Sequence, residues 1–280
     1  MARRSTLSEE GKRSLLLMSP PFLYALLLLA VPLGTIVLFS FWTQDYLTLD
    51  TTFTLANYQE AFGEELYTEL LKRSLLIAGA VTLVTVVLAF PIAYFVSFHV
   101  APSRKSLWLF MITIPFWTSY LIRVFLWKVI LGFNGVINAS LMGLGVIDAP
   151  LEQISYSPYA VVITLAHAFA PFAILPIFVA LEKIDRSLLE ASLDLGESRL
   201  STFLRVTLPL SMPGVVAAVL IVFIPTIGDY VTPRLVGGSG GLMIANMIQT
   251  QFLKLNNAPM GATLAILAML SVTAISLAFI

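Results

Sequence analysis

The stretch LLIAGAVTLVTVVLAFPIAYFVSF, residues 75–98, decides the fold class of this chain. It contains no charged residue and shows no alternation of apolar and polar positions. A helix needs about 20 apolar residues to cross the hydrocarbon core of a membrane, because every backbone polar group must be paired within the segment. Strands of an outer-membrane barrel would instead alternate in polarity over about ten residues. The stretch therefore predicts a transmembrane helix.

Five further stretches share this continuous apolar character, and together they predict an all-α membrane protein with six transmembrane helices. The composition agrees, since 58% of the 280 residues are hydrophobic, 11% are charged and the mean hydropathy is +0.92. Soluble domains carry roughly 25% charged residues, so a freely diffusing enzyme and a disordered scaffold are disfavoured. The predicted spans are residues 15–41, 74–99, 107–131, 158–181, 211–228 and 259–280.

The titratable residues limit the chemistry that this chain offers. Sixteen Lys and Arg balance sixteen Asp and Glu, which leaves no bulk charge to attract a nucleic acid. The absence of cysteine excludes disulfides, thiolate metal ligands and cysteine nucleophiles. Two histidines, His99 and His167, leave little material for a metal site. We therefore expect no metal, no catalytic residue and no nucleic-acid partner.

The distribution of basic residues predicts a multi-pass membrane protein with a cytoplasmic N-terminus. The apolar run from Leu15 to Trp42 is too long for the core of a signal peptide, and no small-residue cleavage site follows it. Cytoplasmic segments are enriched in Lys and Arg. Ten basic residues lie in the predicted inner segments and four in the outer ones, the inner segments being 1–14, 100–106 and 182–210 and the outer ones 42–73, 132–157 and 229–258.

The long inner segment, residues 182–214, contains start and stop signals for two short helices. Its sequence is EKIDRSLLEASLDLGESRLSTFLRVTLPLSMPG. Ser187 and Glu190 form a capping-box pattern that predicts a helix start. Gly196 can adopt the left-handed conformation that ends a helix, and Pro209 is predicted to close the second one. About 30 residues is long for a plain connection. On spacing alone, a connector resting on the bundle and a helix that docks a partner both stay open.

The same segment resembles the EAA loop of permease subunits in binding-protein-dependent ABC importers. The shared residues run from Glu190 to Gly196 and continue with Phe203 and Pro209, while Ser192 stands where a second alanine is usual. In that family the short helix of the loop fits a groove on the ATP-hydrolysing subunit and transmits its closure. The resemblance implies coupling roles for Glu190, Ala191, Ser192, Asp194, Leu195 and Gly196.

Other motifs look like those of spermidine/putrescine permeases, and of the two permease types they resemble the first. They lie at residues 54–58, 115–123, 228–233, 235–238 and 243–246. The resemblance implies a multi-pass protein of the bacterial inner membrane. It also implies a second permease, two ATPase subunits that bind ATP and magnesium, a substrate-binding protein, and a polyamine such as putrescine or spermidine as substrate. This chain has no GxxxxGK[ST] phosphate loop, so we expect no cofactor in it. Relatives continue into a short basic tail after the last span, which would make this sequence a truncated one.

Candidate substrate-pathway residues lie in span three and just after span five. Asp229 is the one carboxylate near the apolar core, and a desolvated ammonium group needs a carboxylate or an aromatic face. Trp117, Tyr120 and Tyr230 supply aromatic faces at a similar depth, and Arg123 is an ionisable residue inside a span. Two alternatives stay open: the aromatic residues form an interfacial belt, or Asp229 pairs with Arg123 and serves only structure.

The predicted organisation is a cytoplasmic tail at 1–14, a first transmembrane helix with its outer loop at 15–73, and a permease core at 74–280. The alternative function is a lone secondary carrier or an intramembrane enzyme. Catalysis would need a nucleophile and base or metal ligands, whereas the spans offer one histidine, His167, which we interpret as a helix-packing residue. The halves show no convincing self-similarity of the kind that carriers built from repeats display.

Overall fold

The computed structural model describes residues 9–46 and 48–279 as helices joined by short segments. Its elements are α1 (Glu9–Ser40), β1 (Thr43–Asp45), β2 (Thr48–Asp50), α2 (Ala56–Gly63), α3 (Glu65–Phe98), α4 (Pro102–Thr113), α5 (Tyr120–Leu131), α6 (Val136–Gly143), α7 (Pro158–Glu182), α8 (Arg186–Asp194), α9 (Arg199–Thr202), α10 (Leu208–Ile227), α11 (Val231–Val236), α12 (Ile244–Leu253) and α13 (Ala258–Ala278). Short 3-10 turns cover Ile114–Trp117 and Glu152–Ile154, and a π turn covers Phe203–Thr207.

The predicted all-α class with six membrane-crossing helices is confirmed. Within the described residues, six stretches are long and apolar enough to cross a membrane. All six predicted spans overlap one of them, although the bounds of the second, third and fifth differ markedly. The six stretches are Leu16–Ser40, Glu65–Phe98, Tyr120–Gly143, Pro158–Glu182, Arg199–Ile227 and Ala258–Ala278.

The second span begins at Glu65 rather than at residue 74, so the prediction of its start was wrong. Charged residues at helical spacing extend it, and Arg73 Nη2 lies 3.3 Å from Glu69 Oε1 one turn away. Such pairs favour a helix in the turns that leave the apolar layer. Lys72 and Arg73, assigned to the outer loop by the sequence, therefore lie inside α3.

The third span was predicted as one helix over 107–131, and this was also wrong. Helix α4 gives way to the 3-10 turn that contains Pro115, and the extended backbone of Thr118 and Ser119 separates that turn from α5. Proline cannot donate a backbone hydrogen bond and disfavours helix geometry in the residue before it. Thr118 Oγ1 donates to the Pro115 carbonyl at 2.7 Å, which satisfies one of the groups that the break leaves open.

The core is built mainly where α3, α7 and α10 pack together. Large side chains such as Leu165, Ile177 and Val222 are fully buried there. Helix α10 approaches α7 closely at Gly214, where a Cβ atom would lie 2.5 Å from Ala180 Cβ. Without a hydrophobic driving force between helices in lipid, such small residues permit the close packing that holds membrane helices together.

A second apolar cluster joins α2, α12 and α13 to the N-terminal half of α3. It includes Leu70, Ile244, Met260 and Leu264, all of them buried. Helix α1 packs along α13, but none of its apolar membrane window is buried within the described part of this chain. A face of this kind must be covered by lipid or by another subunit.

Candidate functional site

Helix α8 carries most of the sequence that resembles an EAA loop, and its start differs from the prediction. The helix begins at Arg186, and its N-cap is Asp185, whose carboxylate accepts a hydrogen bond from the Ser187 backbone N–H at 3.0 Å. This hydrogen bond is the main reason that the pKa of Asp185 is lowered. The predicted Ser187 capping box is therefore wrong. The Asp185 carboxylate accepts from the Ser187 amide, which the capping box had assigned to the Glu190 carboxylate.

The end of α8 confirms the prediction for Gly196. Its φ of +86° is left-handed, a conformation that costs glycine nothing. The Gly196 N–H donates to the Leu193 carbonyl at 2.9 Å, and the Glu197 N–H donates to the Ser192 carbonyl at 3.2 Å. These two bonds constitute a Schellman motif, which satisfies carbonyls that the last turn would otherwise leave free.

The second predicted helix is present, but Pro209 does not close it. Ser198 caps α9 by accepting from the Ser201 N–H at 3.2 Å, and the chain then continues through the π turn into α10. The Leu208 N–H donates to the Phe203 carbonyl, five residues back. This wider turn carries the helix into α10, where Pro209 stands in the first turn and its missing N–H is tolerated.

The predicted coupling residues form a mostly exposed surface on α8 and its C-terminal turn. Ser192 is the exception, because its hydroxyl lies 2.9 Å from the Thr202 hydroxyl and holds α8 against α9. Apolar side chains also face outward, and Leu195 is 85% exposed. The exposed members of the predicted set are Glu190, Ala191, Asp194, Leu195 and Gly196.

An ion pair stiffens the remainder of this loop. Arg205 Nη1 donates to Glu197 Oε1 at 2.7 Å and links the turn after α8 to the π turn. A hydrogen bond from the Ser201 hydroxyl and the positive charge of Arg205 lower the pKa of Glu197. The loop is therefore a structured unit rather than a flexible connection.

Two of the predicted pathway residues meet near the junction of α10 and α11. Tyr120 Oη donates to Asp229 Oδ2 at 2.6 Å and lies 2.6 Å from the Thr232 hydroxyl. Asp229 Oδ1 accepts from the backbone N–H groups of Val231 at 2.9 Å and Thr232 at 3.3 Å. Asp229 thus holds the first amides of α11 and joins that helix to α5, and among the described residues its Oδ2 accepts a hydrogen bond from Tyr120 alone.

Arg123 lies one turn beyond Tyr120 on α5, and it does not bond Asp229. The side chain is buried, with 6% of its surface exposed, and its guanidinium carbon lies 5.3 Å from the centre of the Phe116 ring. Its Nε and Nη1 atoms have no hydrogen-bond partner within residues 9–46 and 48–279. No Asp229–Arg123 pair is therefore present among the described residues, and the pathway role of Asp229 stays a prediction.

The other two predicted pathway residues are exposed aromatic rings. Trp117 is 77% exposed and touches the Phe110 ring edge-on at 6.0 Å between centroids. Tyr230 follows Asp229, its carbonyl accepts from the Asn246 amide at 2.8 Å, and it lines a cavity of about 520 Å³ between α10, α12 and α13. The structure therefore brings Tyr120 and Asp229 together beside Tyr230, while no hydrogen bond or ring contact among the described residues links Trp117 to them.

His167 confirms its interpretation as a packing residue. Its Nδ1 accepts a hydrogen bond from the Trp127 indole N–H at 3.1 Å, which links α7 to α5. Sequence reasoning missed Thr232 and Asn246, which complete the cluster around Asp229. Their place in the motifs that resemble known permeases was the available signal.

A family model for the inner membrane component of binding-protein-dependent transport systems matches residues 80–280. The chain belongs to this family. It is a permease subunit of an ABC importer in the inner membrane, and not an enzyme. The recognition of an importer permease in the EAA-like loop is confirmed.

Similar proteins of known type support the same assignment. The chain is 40% identical to the spermidine/putrescine transport system permease protein PotB of Escherichia coli (strain K12), over 81% of this chain and 82% of that protein. It is 33% identical to the inner membrane ABC transporter permease protein YdcU of the same organism, over 86% and 80%. A chain of a bacterial ABC transporter that imports the polysaccharide alginate shares the fold, with a TM-score of 0.72, 17% identity and coverage of 97% and 96%.

Proposed function

We propose that this chain is the first-type permease of a polyamine importer, acting with a second permease, two ATPase subunits and a substrate-binding protein. The observation that carries the proposal is α8, an exposed, capped helix with an EAA-like sequence. The identity of 40% to a spermidine/putrescine permease supports putrescine or spermidine as substrate. By the basic-residue distribution, α8 faces the cytoplasm.

In this proposal α8 seats in a groove on one ATPase subunit, where ATP and magnesium bind. Helices dock in grooves through apolar anchors at helical spacing. Leu188 and Leu195 are exposed at 48% and 85%, and the small side chain of Ala191 between them permits close approach. Glu190 and Asp194 are exposed one turn apart and offer two carboxylates to basic groups of the partner. Closure of the ATPase pair then displaces α8.

The substrate path in this proposal passes Asp229. Its Oδ2 keeps a lone pair for one ammonium group, while the Tyr120 hydroxyl and two backbone amides hold the carboxylate in place. The exposed ring of Tyr230 lies beside it and can contact a cation or a methylene chain. The exposed ring of Trp117 offers a further cation–π contact earlier on the route.

In the same path Arg123 weakens cation binding, whereas Asp229 favours it. Its charge lies on the same face of α5 as Tyr120, since the two are three residues apart on a helix. A fixed positive charge near Asp229 weakens the binding of a cation there. Transport requires sites that bind strongly enough to admit the substrate and weakly enough to release it. We propose that Arg123 prevents Asp229 from trapping the polyamine.

The exposed apolar faces fit the remaining partners. Helix α5 exposes Ile122, Phe125 and Val129 on one side, and α1 is exposed along its whole apolar length. In the proposal the second permease covers α5, and membrane lipid covers most of α1. Neither surface would be stable in water, which accords with a subunit that functions only in a membrane assembly.

The test is ATP-dependent uptake of labelled putrescine and spermidine into liposomes that contain this chain, the second permease, the ATPase and the binding protein. Control liposomes each lack one component. The proposal expects uptake that requires every component. Uptake by this chain alone would favour a lone carrier. ATPase stimulation by the binding protein without polyamine uptake would refute the substrate and keep the importer.

A further inference from the structure

A cluster of polar side chains lies where α3, α4, α7 and α8 meet, next to the proposed coupling surface. Glu182, the last residue of α7, is at its centre. Its Oε1 accepts from the Ser97 hydroxyl of α3 at 2.6 Å and from Lys105 Nζ of α4 at 2.7 Å. It also accepts from Arg186 Nη2, at the start of α8, at 3.3 Å. Four helices therefore share one carboxylate oxygen.

Arg186 also makes contacts that do not involve the Glu182 carboxylate. Its Nη2 donates to the Ser97 carbonyl at 3.2 Å and lies 3.1 Å from the Ser97 hydroxyl. Its guanidinium carbon lies 3.7 Å from the centre of the Phe98 ring. Lys105 Nζ donates to the same Ser97 carbonyl at 2.8 Å. The C-terminal end of α3 is thus held by two cations, which also complement the negative end of its helix dipole.

The arrangement makes α8 a bridge between two parts of the membrane bundle. Its first residue, Arg186, is tied to α3, α4 and α7. Its C-terminal half is tied to α9 through the Ser192–Thr202 contact, and the turn after it is tied through the Glu197–Arg205 pair to the π turn that leads into α10. A force applied to the exposed face of α8 therefore reaches both parts.

We propose that Ser97, Lys105, Glu182 and Arg186 form an inner clamp that transmits the displacement of α8 to α3, α4 and α7. These are positioning residues: they touch neither ATP nor substrate. The inference rests on the proposed function, because it assumes that α8 receives the motion of an ATPase. Arginine suits the position because its Nη2 bonds Ser97 and Glu182 while the planar guanidinium stacks on Phe98, which the ammonium group of a lysine cannot do.

The experiment uses the complete transporter with the variants Arg186→Ala, Arg186→Lys, Glu182→Gln and Ser97→Ala. Glu69→Gln is the matched control, because it removes the carboxylate of an ion pair with Arg73 at the other end of α3. The readout is the ATPase rate with and without the loaded binding protein. A purely structural role would change the amount of assembled complex but not the ratio of these two rates.

We expect assembled clamp variants to keep a basal ATPase rate near that of the wild type. Stimulation by the binding protein should fall roughly fivefold or more, the usual lower bound for coupled sites. Arg186→Lys should restore part of the response lost in Arg186→Ala, and Glu69→Gln should change nothing.

Wild-type stimulation in every clamp variant that assembles overturns the proposal. Ser97→Ala removes one hydroxyl and keeps the charges, so it supplies an assembled variant if Arg186→Ala fails to fold. The ratio is independent of polyamine uptake. A wild-type complex that responds to its binding protein without transporting polyamine would refute the substrate and leave the clamp open to the same test.

Discussion

Replacement of Gly196 by alanine should loosen the end of the coupling helix without any steric clash. A Cβ atom built at this position meets no atom within 4 Å, so packing contributes nothing to the effect. The whole expected loss of stability comes from the left-handed φ of +86°. A residue with a Cβ atom loses about 1–2 kcal/mol in the left-handed region. That cost corresponds to an increase of roughly 5- to 30-fold in the population of the opened turn.

The assay is amide hydrogen exchange of residues 186–205 in the purified protein. The Gly196 and Glu197 N–H groups close the Schellman motif, so their protection reports directly on the turn. Gly79→Ala is the matched control, because a Cβ atom at Gly79 also meets nothing within 4 Å and its φ lies outside the left-handed range. There alanine should be neutral or stabilise α3 by about 0.5–1 kcal/mol.

The result that refutes this reasoning is specific. If exchange at Gly196 and Glu197 is unchanged in Gly196→Ala, backbone conformation does not stabilise the turn. If Gly79→Ala accelerates exchange equally, the effect is general destabilisation. If the reasoning holds, the same variant should also weaken stimulation of the ATPase by the binding protein, since α8 would present a disordered end to its partner.

Three further predictions concern packing, transport and pH. Gly214→Val should lower the thermal stability of the detergent-solubilised protein by about 1–3 kcal/mol, since its side chain would overlap Ala180; unchanged unfolding would contradict the close contact. Asp229→Asn should preserve assembly but raise the KM for polyamine about tenfold, the loss of one charge-assisted hydrogen bond; equal uptake would remove Asp229 from the path. The lowered pKa of Asp185 means that its cap is complete above the unfolded pKa of about 4 and is lost as the pH falls through the folded value. Protection of the Ser187 amide, corrected for intrinsic exchange, should therefore fall in acid for the wild type but not for Asp185→Asn, and identical profiles would refute the cap.

The number of membrane helices could be predicted from the sequence because the constraint is local. Each helix must pair its own backbone groups across about 30 Å of hydrocarbon, so length and apolar content suffice. The C-terminal end of α8 could be predicted from local information as well, since Gly196 can take a conformation that other residues avoid. The EAA-like loop could be recognised for a related reason, because its helix, cap and turn lie within one continuous segment.

The exact ends of individual helices were harder to predict, because neighbouring residues give competing local signals. Asp185 and Ser187 are both good caps, and only the backbone path after Ile184 decided for the aspartate. The break at Thr118 and Ser119 follows a proline, yet Pro91 lies inside α3 without breaking it. A proline disfavours a continuous helix, and the packing of neighbouring helices determines whether the backbone groups that it leaves unpaired find other partners.

What only the tertiary structure decided is which distant polar groups meet. Glu182 bonds Ser97 across 85 positions and Lys105 across 77, and Tyr120 bonds Asp229 across 109. Glu182 and Arg186 are four residues apart, but nothing in the chain indicated that α3 and α4 would contact them. The sequence by itself determined how many segments cross the membrane, because that depends on the length and apolar content of each segment in lipid. The packing of α3, α7 and α10 determined the clamp and the site at Asp229, because a hydrogen bond depends on where two helices bring their side chains.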